Sequence, residues 1–318
     1  MEEKARVLCL IGPTAVGKTS FSLALARSLG AEVISVDSRQ VYRYMDIGTD
    51  KADKATRRAI IHHLIDVVDP DEIFTAADFR RLAEEAVRRL RRRGRTPLFV
   101  GGTMFYYRAL FGSLLSDDLP SDEALRTRLE EEARLKGKKS LYDRLTLADP
   151  QRAAELHPND LRRVLRALEL LELTGRAPST LFRERSRLKS PFDPLYIGLT
   201  CPREELVRRI DLRVREQFRA GYVDEVRWLL ERGFDERFPS MQGFGYREIA
   251  AHLRGTISLD EAIEGDIRST KAFARRQMTW FRKFEPALWY DRSRVDQERL
   301  LEEVIGICRR HLDVGSSS

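Results

Sequence analysis

The chain has 318 residues, 34% of them charged, with 57 Lys and Arg against 50 Asp and Glu and a net charge of +7. This length predicts one large domain with a smaller one, and the modest positive balance permits an anionic partner without requiring one. No apolar run is long enough to span a bilayer, and the three cysteines lack zinc-ligand spacing. We therefore expect a cytoplasmic protein with reduced thiols and exclude a membrane protein.

A phosphate-binding motif follows the first predicted strand. Residues 12–19 read GPTAVGKT and match G-x-x-x-x-G-K-[ST] between an apolar run and a helical segment, which is the context of a P-loop. Its backbone amides would face phosphate oxygens, Lys18 would neutralise a terminal phosphate, and the Thr19 hydroxyl would bind Mg²⁺. The motif leaves the phosphate compound open, and a plain glycine turn before a helix is the alternative.

A carboxylate is predicted to lie beside this loop. The strand at 32–36 ends at Asp37, and ligands of open α/β sheets bind beyond the carboxyl ends of the strands. Asp37 should therefore reach the same crevice, although an aspartate here could instead cap a turn. Residues 62–68 are predicted to form a third strand. Its paired histidines, His62 and His63, would point to opposite faces, which favours structural roles over a shared metal.

The fourth predicted strand ends unusually for a P-loop protein. A helix from Thr75 to about residue 93 precedes it, and the six arginines at 88–95 are interpreted as a solvated face. The strand at 97–100 leads into Gly-Gly-Thr at 101–103, where a P-loop NTPase usually has a Walker B aspartate. This departure argues against an ATP-hydrolysing motor and leaves Thr103 as a neutral hydroxyl at the crevice.

Charged helical sequence then interrupts the βα alternation from about 114 to 189. Because compact connections are far shorter, we predict an inserted all-helical domain. Arg162, Arg163 and Arg166 lie close together on one of its helices, a pattern that alone is more typical of a solvated face than of a phosphate clamp. The aspartates at 117, 118 and 122 faintly resemble the Mg²⁺ motif of prenyl synthases, and we discount them because the motif occurs once.

The chain returns to the sheet with a strand at 194–200. The predicted domains are therefore a P-loop core at 1–113, a helical insertion at 114–189, and the completion of the core with C-terminal helices at 190–318. A helix at 202–220 carries Arg209 and Arg213, and its position after a core strand suits a lid over bound phosphates. A solvated arginine face is the alternative.

Two C-terminal stretches combine cations with aromatic side chains. The first is the glycine-aromatic turn MQGFGYR at 241–247. The second, 268–283, has six Lys or Arg and no acidic residue, interleaved with Phe273, Trp280 and Phe281. Cations that bind a phosphate backbone beside aromatic faces that stack on splayed bases are typical of single-stranded loop recognition. An amphipathic core helix with a basic outer face is the alternative.

Taken in order, these motifs resemble the bacterial tRNA dimethylallyltransferase family, also called tRNA isopentenyltransferases. The resemblance covers nearly the whole chain, and only the P-loop is specific by itself. Eukaryotic relatives carry a C-terminal zinc finger, for which this sequence has no cysteines, so we expect the bacterial form. The motifs are GPTAVGKT at 12–19, VDSRQVY at 36–42, HHLID at 62–66, GGTMFYYRAL at 101–110, HPNDLRRVLRALE at 157–169, GFGYREI at 243–249 and RRQMTWFRK at 275–283.

The resemblance implies an α/β fold with a P-loop NTPase-like parallel sheet, an inserted all-helical domain and C-terminal helices. It also implies a monomer that uses Mg²⁺ and transfers the dimethylallyl group of dimethylallyl diphosphate to N6 of the adenosine at position 37 of tRNA, just 3′ of the anticodon. Asp37 would accept the amine proton, with Thr103 and Lys18 as the other catalytic residues. The diphosphate would contact Gly12, Pro13, Thr14, Ala15, Val16, Gly17, Lys18, Thr19, Arg209 and Arg213.

The resemblance further implies that the anticodon stem-loop contacts both the insertion and the C-terminal helices, with the target base flipped out of its stack. Mg²⁺ would lie on Thr19. The residues expected to contact tRNA are Asp37, Ser38, Arg39, Gln40, Thr103, Arg162, Arg163, Arg166, Gln242, Gly243, Phe244, Gly245, Tyr246, Arg247, Arg275, Arg276, Gln277, Thr279, Trp280 and Arg282.

Three other functions stay open at this point. A nucleotide-kinase-type phosphotransferase would use the same loop, Mg²⁺ and arginine lid, but it leaves the helical insertion and the 268–283 stretch unexplained. An adenylate isopentenyltransferase would use a free nucleotide as the acceptor, and this function does not explain the segments expected to bind RNA. A nucleotide-gated RNA-binding module without chemistry leaves Asp37 beside the loop without a role.

Overall fold

The computed structural model describes residues 4–112, 119–186, 190–285 and 287–313. The chain divides into two compact units, one made of Met1–Leu110 and Pro191–Ser318 and the other of Phe111–Ser190. The second unit is thus inserted into the first. Within the described ranges, no helix is long and apolar enough to cross a membrane.

The first unit is built on a six-stranded sheet. The strands are β1 (Ala5–Ile11), β2 (Ala31–Val36), β3 (His62–His63), β4 (Thr96–Gly101), β5 (Phe192–Thr200) and β6 (Ala287–Asp291). Their order across the sheet is β3-β2-β4-β1-β5-β6, and all neighbouring pairs are parallel. β1 and β2 are buried along nearly their whole length, as expected for parallel strands covered on both faces. The predicted α/β fold with a parallel P-loop-type sheet is confirmed.

Helices surround this sheet, and in the described part of the inserted unit all regular elements are helices. In chain order they are α1 (Lys18–Leu29), α2 (Lys54–Ala59), α3 (Ala76–Arg92), α4 (Met104–Phe111), α5 (Glu123–Lys136), α6 (Lys138–Ala148), α7 (Pro150–Ala154), α8 (Leu161–Thr174), α9 (Pro178–Ser186), α10 (Arg203–Arg219), α11 (Tyr222–Glu231), α12 (Tyr246–Leu253), α13 (Leu259–Phe281) and α14 (Gln297–Asp313).

The predicted third strand at 62–68 is wrong beyond its first two residues. Leu64 and Asp66 have φ angles of 62° and 57°, and an extended strand cannot accommodate this left-handed backbone. The Lys51 ammonium lies 2.7 Å from the Asp66 carboxylate and holds the turn in place. The chain therefore leaves the sheet just after β3.

β6 is a sixth strand that was not predicted. It pairs with β5 at the edge of the sheet, where Gly198 makes room for the Trp289 ring, because a Cβ at Gly198 would overlap that ring. The chain continues from β6 into Arg292, whose amide donates to the Thr200 carbonyl at 2.9 Å. This edge strand therefore brings an arginine towards the end of β5.

The strands position the site because β1, β2 and β4 end at the same edge. Their last residues are Ile11, Val36 and Gly101. The P-loop, Asp37 and the 101–103 turn follow directly, so they meet beyond the carboxyl edge of the sheet, as expected for an open α/β fold.

The inserted unit has its own leucine-rich core, which α5, α6 and α8 share. Glu169 on α8 is fully buried and accepts the Asp122 amide at 2.9 Å and the Arg166 guanidinium at 2.8 Å. Burial by itself would raise the pKa of Glu169, but the hydrogen bonds from Arg166 and the Asp122 amide outweigh it and lower that pKa. This carboxylate is therefore a paired structural charge.

Candidate active site

The P-loop connects β1 to α1 with the backbone of an anion-binding turn. Ala15 and Gly17 have left-handed φ angles of 62° and 93°, and Gly17 is the N-cap of α1. Gly12 has a φ of 147°, and a Cβ there would meet the Leu199 carbonyl oxygen at 2.5 Å, so glycine is needed at this position. Such a turn before a helix favours an anion through its amides and through the helix dipole.

Lys18 folds back along this loop. Its ammonium donates to two carbonyl oxygens of the loop at 3.0 and 2.8 Å. Burial, with a further contribution from the charge of Arg213, lowers the pKa of Lys18 to about 8, against the opposing effect of Asp37 and Asp50. A bound anion would raise this pKa again, because an opposite charge favours the protonated form.

Asp37 is held by its own turn at the end of β2. Its Oδ1 accepts the Arg39 and Gln40 amides at 2.8 and 3.3 Å, so the turn-capping interpretation holds for this oxygen. The next residue, Ser38, donates its amide to Thr103 Oγ1 at 2.9 Å. The Thr103 hydroxyl is therefore tied to the residue next to Asp37.

A cavity of about 560 Å³ lies at this edge of the sheet, within the size range of small-molecule sites. Cationic and apolar side chains share its wall, and Leu23, Leu212 and Phe273 are among the apolar ones. The predicted site residues that line it are Thr14, Ala15, Gly17, Lys18, Thr19, Asp37, Gln40, Arg209, Arg213 and Gln277.

Three predicted diphosphate contacts do not line this cavity. Val16 is completely buried in the core beneath the loop, so only its backbone can belong to the site. Gly12 and Pro13 are also buried, and their carbonyls accept the Lys18 ammonium.

Arg209 and Arg213 lie one turn apart on α10, and both line the cavity. Arg209 donates to the Val16 carbonyl at 3.3 Å and pairs with Glu205. Arg213 lies 3.1 Å from Asp50, and its Nε is a buried donor without a partner among the residues that the structure describes. Because buried donors are normally satisfied, this nitrogen favours an anionic ligand in the cavity.

The cavity fits a Mg²⁺ ion only when a phosphate supplies part of the coordination. Thr19, Asp37 and Asp50 bring oxygen atoms from three segments. In the described part of the chain, no group of three or more His, Cys, Asp or Glu could hold a metal. Few protein ligands together with phosphate oxygens are typical of Mg²⁺ sites.

The glycine-aromatic turn before α12 meets the turn that follows Asp37. Arg39 donates to the Ser240 carbonyl and packs against Gly243, where a Cβ would overlap the guanidinium. Phe244 packs against Phe273 of α13 with ring centroids 5.3 Å apart. The predicted contacts Gln242 and Arg247 are exposed, whereas Gly243 and Gly245 are buried.

α13 presents a basic face to solvent. The exposed residues of this face are Arg268, Arg275, Arg276, Thr279 and Arg282. Trp280 is half-buried beneath the Arg108 guanidinium, which lies 5.1 Å from the ring centroid. We call this set, with Trp280, the basic face of α13.

Two of the predicted tRNA contacts have side chains that are almost completely buried. Tyr246 is 1% exposed, and its hydroxyl donates to Glu225 at 2.7 Å. Gln277 is also 1% exposed, and it contacts the P-loop and Gly102 instead of solvent. The Tyr246 side chain is thus held in the core, whereas the Gln277 amide lies in the wall of the cavity.

In the inserted unit, the predicted arginines differ in their surroundings. Arg162 and Arg163 are exposed, and Arg163 lies 3.4 Å from Asp160. Arg166 is half-buried and pairs with buried Glu169. Arg166 is thus mainly a structural residue of α8, whereas Arg162 and Arg163 are surface cations.

The sequence interpretation missed Asp50 and Arg292. Asp50 has a left-handed φ of 55° and lines the cavity, and no motif in the sequence marks it. Arg292 donates to the Gly17 carbonyl at 2.8 Å from a position 275 residues away, which no local pattern can indicate. The aspartates at 117 and 118 lie outside the described residues.

The two histidines of β3 have separate partners. His62 Nδ1 donates to the Ile60 carbonyl at 2.7 Å, and burial lowers the pKa of His62. His63 Nε2 lies 2.8 Å from Glu32. They therefore do not form a shared metal site, as the strand alternation predicts.

Comparison with known proteins agrees with this geometry. A family model described as IPP transferase matches residues 40–284. A tRNA dimethylallyltransferase of Alkaliphilus oremlandii is 42% identical over 95% of this chain and 96% of its own length. One from Geobacter metallireducens is 45% identical over 91% of this chain and 94% of its own.

Solved structures give the same result. A full-length tRNA isopentenylpyrophosphate transferase of Bacillus halodurans has a TM-score of 0.73 and 40% identity, covering 98% of this chain and 97% of that one. A eukaryotic dimethylallyltransferase described as acting on tRNA has a TM-score of 0.78 and 30% identity, covering 90% of this chain and 74% of that one. The extent of these matches shows that the chain belongs to the IPP transferase family.

Proposed function

We propose that this protein is a prenyltransferase that modifies tRNA. It transfers the dimethylallyl group from dimethylallyl diphosphate to N6 of the adenosine at position 37, which gives N6-(dimethylallyl)adenosine and diphosphate. The observation that carries the proposal is one cavity that combines a P-loop with the Asp37 carboxylate and apolar side chains, in a chain of the IPP transferase family.

The donor half of the site suits an allylic diphosphate. Lys18, Arg209 and Arg213 converge on the cavity with the P-loop, and Leu23, Leu212 and Phe273 offer apolar surface for a five-carbon group. Breaking the bond between the allylic carbon and oxygen moves an electron pair onto the diphosphate. Fixed cations and amides lower the barrier because they stabilise that developing charge.

The acceptor half has to remove one proton. The exocyclic nitrogen of adenine forms a bond to the allylic carbon, and its proton passes to the Asp37 carboxylate as the diphosphate leaves. The amide hydrogen bonds at Oδ1 orient this carboxylate. Thr103 Oγ1 accepts the Ser38 amide and donates to Ser38 Oγ at 3.4 Å, so the role proposed for Thr103 is to hold the turn that carries Asp37.

Mg²⁺ is proposed as the cofactor. Thr19, with Asp37 or Asp50, would hold the ion against the diphosphate, and the ion would supply positive charge to the leaving group. All other roles in the reaction fall to side chains and amides of this chain.

The RNA half of the site is proposed to include the basic face of α13 and the exposed residues Gln242 and Arg247. Arg162 and Arg163 of the inserted unit are proposed as separate tRNA contacts. An anticodon stem-loop presents both a phosphate backbone and unstacked bases, which exposed arginines and Trp280 can bind. The adenosine must leave its stack to reach a cavity of this kind. We also propose that the protein acts as a monomer in the cytoplasm.

Nucleoside mass spectrometry of unmodified tRNA tests this function. The tRNA is incubated with the protein, Mg²⁺ and dimethylallyl diphosphate, with ATP replacing the prenyl donor in a parallel reaction. A tRNA with guanosine at position 37 and a reaction with free AMP serve as matched controls.

We expect an isopentenyl-adenosine only with the prenyl donor and only in the tRNA with adenosine at that position. Consumption of ATP with unchanged tRNA would instead support a nucleotide-kinase-type phosphotransferase. Modification of AMP in preference to tRNA would indicate an adenylate isopentenyltransferase, and binding of tRNA without any product would indicate an RNA-binding module.

A further inference from the structure

Gln277 forms a bridge between two loops of the cavity. It is 1% exposed on α13, its Oε1 accepts the Thr14 amide at 2.8 Å, and its Nε2 donates to the Gly102 carbonyl at 2.9 Å. A side-chain amide has an acceptor oxygen and a donor nitrogen, so it can accept from an N–H and donate to a carbonyl at the same time. Each end of Gln277 therefore satisfies a backbone group of a different loop.

The two loops serve the two halves of the proposed reaction. Thr14 belongs to the P-loop, which is proposed to hold the diphosphate. Gly102 precedes Thr103, whose hydroxyl is tied to the Ser38 amide next to Asp37. Gln277 therefore links the two loops directly, in addition to the pairing of β1 with β4 that precedes them.

The same helix carries the proposed RNA contacts on its opposite side. Arg275 and Arg276 directly precede Gln277 and are exposed, whereas Gln277 is buried. Successive residues of a helix point about 100° apart, because the repeat is about 3.6 residues per turn. A shift or rotation of α13 that follows RNA contact at Arg275 and Arg276 would therefore move Gln277, and with it both loops.

We infer that Gln277 is a positioning residue that couples RNA binding on the basic face of α13 to diphosphate binding in the P-loop. This inference rests on the proposed function. It requires that an RNA bound to α13 changes the affinity for diphosphate, and, since such coupling is reciprocal, that diphosphate changes the affinity for RNA by the same factor.

Isothermal titration calorimetry can measure this coupling directly. Inorganic diphosphate with Mg²⁺ is titrated into the protein alone and into its complex with an anticodon stem-loop RNA. For the wild type we expect the two dissociation constants to differ by about fivefold or more, as is typical of coupled sites. Equal dissociation constants in the wild type would overturn the inference without any variant.

Two variants break the bridge from opposite ends. Gln277→Met keeps the length of the side chain but removes both hydrogen bonds. Gly102→Ala places a Cβ onto Gln277 Nε2, so it displaces the amide while its own backbone remains in an ordinary conformation. Each variant should bring the two dissociation constants together and lower kcat/KM by roughly tenfold, which corresponds to about 1.4 kcal/mol.

Gln217→Met is the matched control. Gln217 is another buried glutamine, on α10, and its Nε2 donates to the Ile47 carbonyl at 2.7 Å. Its loss should lower the melting temperature like that of Gln277 but leave the coupling intact. If Gln277→Met does not fold, Gly102→Ala still decides the question.

The outcomes separate this inference from the proposed function. A wild type that modifies tRNA, with variants that retain the full coupling, would refute the role of Gln277 alone. A loss of coupling in Gln217→Met equal to that in Gln277→Met would also refute it, because general loosening would then suffice. Absence of isopentenyl-adenosine with the wild type would refute the proposed function instead.

Discussion

The P-loop and the basic face of α13 carry the two halves of the proposed site, and they are built in different ways. The P-loop binds its ligand through backbone groups. The positive φ angles at residues 12, 15 and 17 restrict the residue types that can occupy these positions. The basic face of α13 works through long exposed side chains, and many sequences could supply them. A site built from backbone groups can therefore be recognised in the sequence as a motif, whereas a surface built from side chains can be recognised only from its amino-acid composition.

Substitution of Asp37 gives the largest expected effect and tests the cavity half of this comparison. Asp37→Asn keeps an oxygen that can accept the Arg39 amide but cannot take a proton from the amine. General base catalysis typically contributes about 10² to 10⁴ in rate, so kcat should fall by that factor. Single-turnover kinetics with radiolabelled prenyl donor measure the loss.

Two controls accompany this variant. The melting temperature and the dissociation constant for tRNA should match those of the wild type, because the turn at 37–40 is preserved. An unchanged kcat would remove Asp37 from the mechanism and leave it as a turn cap.

Removal of charge from α13 tests the surface half. Alanine at Arg275, Arg276 and Arg282 should weaken tRNA binding roughly tenfold to a hundredfold. Each phosphate contact contributes about 0.7 to 0.9 to the slope of log K against log salt, so the slope should become less steep by about 2. Filter binding at several salt concentrations measures both values.

A second triple variant provides a matched control for charge. Arg89, Arg91 and Arg92 are also exposed, at the end of α3. This end of the helix lies next to the start of β4, and therefore on the side of the sheet opposite the carboxyl ends of the strands. Their replacement by alanine should leave the slope unchanged if this run is a solvated face. Equal effects of the two triple variants would show that net charge, not the face of α13, determines binding.

The fold and much of the cavity could be predicted because they follow from local patterns. The P-loop, the position of Asp37 and the start of the helix at Thr75 each depend on a few neighbouring residues, and Thr75 caps that helix through a capping box with Asp78. The end of β3 could not be predicted, because the left-handed turn at Leu64 and Asp66 is held by a lysine from another segment.

The residues of α13 show that a sequence pattern does not always distinguish exposed positions from buried ones. Arg276 and Gln277 are adjacent in one motif, yet one is exposed and the other is buried against the P-loop. Which of them faces the core depends on the phase of the helix, and this is set by its packing. Arg292 and Asp50 join the site through contacts with Gly17 and Arg213 that are distant in sequence.

The titration of Lys18 sharpens the view of the P-loop as an anion site. Because its pKa in the free protein is about 8, kcat/KM for the prenyl donor should fall about tenfold per pH unit above that value, as the ammonium loses its proton. Lys18→Arg should remove this decrease, since a guanidinium stays charged. A pH profile from 6 to 10 measures it, and an identical decrease in the arginine variant would assign the titration to another group.

Substitution of Asp266 gives the smallest expected effect. It tests whether the buried side chains of α13 stabilise the fold. It is 4% exposed, and burial raises its pKa to about 6, a direction that nearby Glu248 supports and that Thr270, Arg213 and Arg247 oppose. Because the folded pKa exceeds the unfolded one, the folded state holds the proton longer, and stability falls as the pH rises from about 4 to about 6. Asp266→Asn keeps an acceptor for Thr270 and removes this pH-dependent loss of stability. The increase in the free energy of unfolding that the substitution causes should therefore be about 1 kcal/mol larger at pH 8 than at pH 5. Urea denaturation at the two pH values measures the difference, and a loss of stability at pH 8 would mean that the ionised carboxylate is itself required by its neighbours on α12 and α13.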